Sequence, residues 1–279
     1  MKVNKISAVY FSPVSGTKNV CEMIAKAMAD RFGISWEAHD FTLPSQRLAV
    51  TSFGPDELVV FGTPTYAGRI PNKALPFVQD LFKGQKTPAV AAVTFGNRSF
   101  DNSLTELTQE LDKNGFAPFA AGAFVCRHVF SDTLAAGRPD ADDKEKIQAF
   151  AARAADLLMA AEDTAALKAP VIITGRATVG PYYTPKKADG TPAKFLKAKP
   201  VTDLTLCDDC GICAKVCPMG SVDPDDISKT PGICIKCHAC IRKCPKGARY
   251  FDNPDLLSHV KMLEENFSRR REDQTFFAE

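Results

Sequence analysis

At 279 residues the chain exceeds one average domain, which favours two domains or one large α/β domain, and its 45% hydrophobic and 24% charged content lies close to the soluble globular average. A net charge of only +2 argues against a nucleic-acid protein, whose affinity would come from neutralising many phosphates. No apolar run approaches the roughly 18 residues of a membrane helix, and the opening MKVNKISAVYF lacks the layout of a signal peptide, so a cytoplasmic protein without a membrane span is expected.

Residues 1–163 alternate short β-rich apolar runs with amphipathic stretches. Strands are expected at Lys5–Phe11, Ile34–Asp40, Glu57–Gly62, Ala89–Phe95 and Phe116–Val125, and helices near 16–32, 72–83, 100–114 and 142–162. Such alternation implies an α/β domain with a doubly wound parallel sheet, in which ligands bind beyond the carboxyl ends of the strands at a switch in strand order. The loops after strands one, three, four and five are therefore the candidate site.

After strand one, Ser12-Pro13-Val14-Ser15-Gly16-Thr17-Lys18 leads into a helix, where backbone N–H and hydroxyl donors together with the helix dipole suit a phosphate; an ordinary helix cap is the competing reading. No Gly-x-Gly occurs and the Walker spacing is absent, which removes the two common nucleotide fingerprints. The loop after strand three, Pro64-Thr65-Tyr66-Ala67-Gly68, and the one after strand four, Thr94-Phe95-Gly96-Asn97-Arg98 with Asp101, offer aromatics, amides and glycines that permit close approach to a flat ring. In the fifth loop His128 is the one candidate catalytic residue, a proton donor on the grounds of its ordinary pKa, against the simpler reading of a solvated or capping histidine. Cys21 and Cys126 read as packing residues.

Residues 164–203 form a basic, proline-rich connector. From 164 to 206 there are seven Lys or Arg against two Asp, and five prolines. Lys186, Lys187, Lys194, Lys197 and Lys199 are candidates to neutralise a negatively charged neighbour, with a solvated linker as the alternative. Beyond it, Cys-x2-Cys-x2-Cys-x3-Cys-Pro occurs twice. Cys207, Cys210, Cys213 and Cys217 recur 27 residues later as Cys234, Cys237, Cys240 and Cys244, and Pro218, Pro245, Gly220 and Gly247 keep the interval, so the segment is an internal duplication.

Three thiolates on one tight loop occupy three corners of a cubane, and in two-cluster proteins the fourth cysteine of each run ligates the other cluster. The expected sets are Cys207, Cys210, Cys213 with Cys244, and Cys234, Cys237, Cys240 with Cys217. Structural zinc would leave half of these cysteines superfluous, and disulfides are unusual in a reducing compartment. His238, between two ligands, either tunes a cluster or faces water. Residues 254–279 are expected to be a helical tail, with a helix over Leu256–Phe267 and a solvated end at Arg269-Arg270-Arg271.

On its cysteine motifs, residues 204–253 resemble bacterial-type two-cluster ferredoxins, small α+β domains carrying two [4Fe-4S] clusters. On its three loops, the first domain resembles flavodoxin-like FMN domains of strand order 2-1-3-4-5, and the order of parts resembles the flavodoxin–ferredoxin fusion family of anaerobic bacteria and archaea. That family's usual Ser-x-Thr-Gly-x-Thr loop is here Ser12-Pro13-Val14-Ser15-Gly16-Thr17, with the glycine shifted by one and a threonine lost at Val14, which Ser15 and Thr17 could offset. The resemblance implies an electron-transfer protein moving electrons between two [4Fe-4S] clusters and FMN, with a redox protein or a small-molecule acceptor as partner. The alternatives are an FMN-dependent reductase of a small organic or quinone substrate, and a ferredoxin with a flavin-free docking domain.

Overall fold

In the computed structural model, which describes residues 1–278, the chain-ordered strands are β1 (Lys5–Tyr10), β2 (Trp36–Asp40), β3 (Thr51–Phe53), β4 (Glu57–Pro64), β5 (Phe82–Gly84), β6 (Thr87–Phe95), β7 (Phe116–Val125), β8 (Val201–Thr202), β9 (Arg249–Tyr250) and β10 (Gln274–Phe277). The helices are α1 (Gly16–Phe32), α2 (Leu75–Asp80), α3 (Ser103–Lys113), α4 (Ala141–Ala160), α5 (Ile212–Lys215), α6 (Ala239–Arg242) and α7 (Pro254–Asn266).

The main sheet has the order β2-β1-β4-β6-β7-β10, and its first five strands run parallel. Numbered by the five expected strands this is 2-1-3-4-5, the flavodoxin-like doubly wound order, with the switch between β1 and β4. Alternate residues of each strand serve opposite faces. Ile6, Ala8, Tyr10, Val60 and Ala92 pack under α1 and α4, whereas Val9, Phe11, Phe61, Ala91 and Val93 pack under α2 and α3. With both faces covered, the strands read as continuous apolar runs rather than as alternation.

The expected helix over 72–83 shortens to α2, because its end at Phe82–Gly84 becomes β5, paired in parallel with β3. A larger departure lies at the C-terminus. Residues 254–279 are not a helical tail alone: after α7 the chain returns to the sheet, and β10 pairs antiparallel with β7, covering the edge that would otherwise present unpaired backbone. Nor is the arginine run simply a solvated helix end. Arg270 pairs with Asp140, Asp142 and Asp143 at the start of α4, and Arg138 with the fully buried Asp143. Burial would raise the Asp143 pKa, but hydrogen bonds from Arg138 and the Asp140 N–H outweigh it and hold the carboxyl low.

The connector is a strap, not a solvated linker. Its Val171 N–H donates to the Pro118 carbonyl (2.8 Å), its Tyr182 hydroxyl to the Ile70 carbonyl (2.9 Å) and its Tyr183 N–H to the Ala67 carbonyl (2.8 Å), and Phe195 is buried with Phe251 and Leu256. Of the five lysines named as candidates, Lys199 reaches the cluster segment, through the Pro231 carbonyl (3.0 Å), and Lys187 pairs locally with Asp189.

The duplicated segment is built of single-turn α5 and α6 and the short β8–β9 ladder. Two arginines dock it on the sheet domain. Arg242, in α6, donates to the Val129 and Ser131 carbonyls (2.9 and 2.8 Å), and Arg47 of the sheet domain donates to the Pro218 carbonyl (2.6 Å) beside Cys217. Among the described residues no helix is long and apolar enough to cross a membrane.

Candidate functional site

The loop after β1 turns sharply before α1. Ser15 takes the left-handed conformation (φ 69°), the kind of position at which glycine carries no steric cost, while Gly16 is already the first residue of the helix. The shifted glycine of the sequence thus leaves a serine in the strained place. Ser12 Oγ accepts the Lys18 N–H (2.9 Å) and the Ser12 N–H donates to Thr42 Oγ1 (2.7 Å), fixing the loop from inside. Thr17 and Thr94 share one hydrogen bond between hydroxyls (2.8 Å), which leaves one of their two protons available. Ser12, Pro13, Val14, Gly16 and Thr17 line a cavity of about 580 Å³, with the first-turn N–H groups of α1 free of intrahelical partners; Ser15 does not line it.

The second loop is a two-residue hairpin. Tyr66 and Arg69 exchange backbone hydrogen bonds (2.9 and 3.1 Å) around Ala67 (φ 48°) and Gly68 (φ 79°), and a Cβ on Gly68 would meet Asp101 Oδ2 at 2.3 Å. Glu106 braces this turn by accepting the Ile70 N–H (2.9 Å) and pairing with Arg69. Pro64, Thr65, Tyr66, Ala67 and Gly68 all line the cavity, as do Thr94, Phe95, Gly96 and Arg98 of the third loop. Asn97 and Asp101 do not. Asn97 is turned to the C-terminal return, where its amide donates to the Arg269 carbonyl (3.0 Å) and accepts the Arg271 N–H (3.1 Å), and Asp101 pairs with Arg98.

His128 also lines the cavity, against Gly96, where a Cβ would lie 2.3 Å from His128 Cδ2. The premise for its proton donation is not met. Burial lowers the ring to about 4, with His259, Arg98 and Arg242 adding to the effect, so the imidazole is neutral at pH 7. Its Nδ1 accepts the Phe130 N–H (3.2 Å), which leaves the proton on Nε2 as a neutral donor. Cys126 lines the wall, and burial pushes its thiol up to about 12, so it is no thiolate nucleophile. Cys21 is buried against Gly62, with its thiol raised by burial.

The eight repeated cysteines fall into two groups. Cys207, Cys210, Cys213 and Cys244 line one small cavity near the surface. Burial raises the Cys237 and Cys240 thiols, and Cys217 and Cys234 add to both, so these four thiols lie within electrostatic reach of one another. Sulfurs in both groups accept backbone N–H bonds at equivalent points of the repeat, Ser221 to Cys217 (3.2 Å) and Ala248 to Cys244 (3.3 Å). Two groups of four thiols fit two cubanes, and the donor set fits iron–sulfur chemistry. His238 does not face water, and its backbone caps the start of α6. It is buried between Phe251 and Phe130 with ring centroids 5.0 and 4.8 Å away, its Nε2 has no partner among the described residues, and burial lowers it to about 3.

One wall of the large cavity was not foreseen. Ile233, Cys234, Ile235 and Lys236 form it, with Tyr182, Tyr183 and Phe195 of the connector closing the side. Tyr66 faces this wall, its phenol raised by burial and by Cys237 and Cys234. The pair Tyr182-Tyr183 between prolines, in an otherwise polar stretch, was the available signal for the connector's share.

Residues 199–245 match the family model of a 4Fe-4S dicluster domain. The chain joins a flavodoxin-like domain to a 4Fe-4S dicluster domain. The first part is assigned by its strand order and the second by the family match. Among solved structures, the chain is similar to the rubredoxin oxygen:oxidoreductase of the anaerobe Desulfovibrio gigas at 20% identity over 57% of this chain and 38% of that one, with a TM-score of 0.40. A flavodoxin of Streptococcus pneumoniae TIGR4 matches at 16% identity over 55% of this chain and 98% of its own (TM-score 0.39), and flavodoxin 2 of Bacillus cereus at 18% over 55% and 98% (TM-score 0.40). No curated protein matches the chain.

Proposed function

We propose that this chain is an electron-transfer iron–sulfur flavoprotein that holds FMN in the sheet-edge cavity and two [4Fe-4S] clusters in the crossed cysteine sets, linking one- and two-electron redox partners. The observation that carries the reading is a shared wall: Cys234 and its neighbours line the same cavity as the three sheet-edge loops. When bound, FMN exchanges one or two electrons and each cluster one, so their union converts between the two kinds of chemistry.

The chain's own residues then divide the work. The free N–H groups of Gly16 and Thr17, at the positive end of α1, hold the phosphate. Tyr66 and Phe95 flank the ring, and His128 offers a neutral Nε2–H. Phe130, Phe195 and the connector tyrosines keep water from the space between ring and cysteines. Because electron tunnelling weakens steeply with distance, the set containing Cys234 serves the flavin and the set containing the exposed Cys210 serves a redox partner.

A second reading, reduction of a small organic or quinone acceptor, is favoured by the cavity rim, where Leu196 and Ile233 are 89% and 55% exposed beside Lys73 and Lys236. Anaerobic purification with iron, sulfide and flavin analysis tests the cofactor set. The expected result is about eight irons per chain with FMN. Zinc in place of iron overturns the reading, and iron without flavin leaves only a docking domain joined to a ferredoxin. Oxidation of the reduced protein by one particular quinone, slowed by substitutions at Tyr66, assigns the reductase.

A further inference from the structure

The duplication sets Val222 and Arg249 at equivalent positions, 27 residues apart, each one residue beyond the N–H donor to its own repeat's fourth cysteine. Both are buried, Val222 at 4% and Arg249 at 2% exposure. Val222 packs in the apolar cluster of Cys213 and Ile227 as a repeat of this size would have it. Its counterpart is a guanidinium. Arg249 Nη1 donates to Thr202 Oγ1 (3.1 Å) and to the Ile227 carbonyl, Nη2 donates to Thr230 Oγ1 (3.0 Å), and Nε has no partner among the described residues.

A buried cation is costly unless an anion accompanies it. Among the described residues Arg249 forms no salt bridge with a carboxylate. What it faces are the cysteines of both sets: Nη1 lies 3.9 Å from Cys213 Sγ, and Cys217 and Cys240 pack against the same cluster of Cys213 and Ile227 whose Ile227 carbonyl accepts the guanidinium. Cys213 belongs to one proposed cluster, Cys217 and Cys240 to the other.

We infer that Arg249 is a shared counter-cation of the two clusters, which raises the reduction potential of both above the value a neutral side chain at this position would leave. The inference rests on the two-cluster reading. Charge and hydrogen bonds at the sulfurs are the levers that set such potentials. Each cluster gains negative charge on reduction, a fixed positive charge at its sulfurs stabilises that state, and low local dielectric strengthens the effect. Thr202 and Thr230 supply the anchors, and β8 pairing with β9 at Thr202–Arg249 fixes the register that brings them together.

The test is a redox titration of the clusters, followed by electron paramagnetic resonance, in full-length Arg249→Met, Arg249→Gln and Arg249→Lys, each with its iron content measured. Neutral variants that retain about eight irons are expected to be harder to reduce by at least tenfold in the equilibrium constant, a shift of about 59 mV for a one-electron couple, and Arg249→Lys to stay near the parent value. Unchanged potentials in an iron-replete neutral variant overturn the inference. So does equal loss of iron in all three variants, which assigns Arg249 a structural role alone. Zinc, or no metal, in the parent protein is a failure of the two-cluster reading and is seen before any variant is made.

Discussion

The sheet domain and the cluster segment are held by different physics. The sheet buries two apolar layers, with Ile6, Phe61, Val90 and Leu107 fully enclosed and α1, α3 and α4, of 11 to 20 residues, on its faces. The cluster segment has helices of four residues, strands of two, and an apolar cluster of buried Cys213, Val222 and Ile227. One part carries its fold in its apolar pattern; the other places its cysteines where metal–sulfur bonds must supply what its core does not.

The sharpest way to break this contrast is to remove the iron. Chelation under oxidising conditions is expected to abolish amide-exchange protection across 204–253 while β1, β4 and β6 stay protected; simultaneous loss in both parts would contradict the division. Within the sheet, Gly62→Ala forces a Cβ to 2.1 Å from Cys21 Sγ and 2.9 Å from Thr17 Cγ2. It should cost about 2 kcal/mol in denaturant unfolding, with part regained in the double variant with Cys21→Ala, and leave the iron content unchanged. At the boundary, Gly96→Ala displaces the His128 ring, and flavin titration should find affinity weakened by roughly tenfold, about 1.4 kcal/mol, with iron retained. Equal affinity would remove His128 from the flavin's surroundings.

The smallest effect concerns the return strand. Burial raises Asp273 to about 6, for its Oδ2 has no partner among the described residues although Oδ1 accepts the Val125 N–H at 2.7 Å. An acid raised by folding costs nothing below its ordinary pKa, costs progressively more as pH rises toward 6, and a constant amount above. Asp273→Asn should therefore stabilise the protein at pH 7.5 by on the order of 1 kcal/mol, the residue as a whole being partly exposed, and by almost nothing at pH 3.5. A gain that is the same at both pH values would show that burial of the charge is not its cause.

How much of this was legible in the sequence follows the same contrast. The five parallel strands announced themselves as apolar runs because both faces are covered, and the cysteine spacing stated its own chemistry. By contrast, β10 is four residues at an edge, Gln274–Phe277, too short for any period to register. Tertiary contact also decided which loop residues face the cavity: Asn97 was claimed by the C-terminal return and Ser15 by a left-handed turn. No local pattern could place Ile233–Lys236 against Tyr66, since that wall is brought there by tertiary docking, in which Arg47 and Arg242 take part.

The central claim is that electrons pass between the cysteine-bound centres and the flavin inside one chain. Flash reduction of the anaerobic protein by a one-electron donor, followed by flavin bleaching at several protein concentrations, measures it directly. The account predicts that bleaching follows cluster reduction with a first-order rate independent of concentration. A rate proportional to protein concentration, or no flavin bleaching at all, would contradict it.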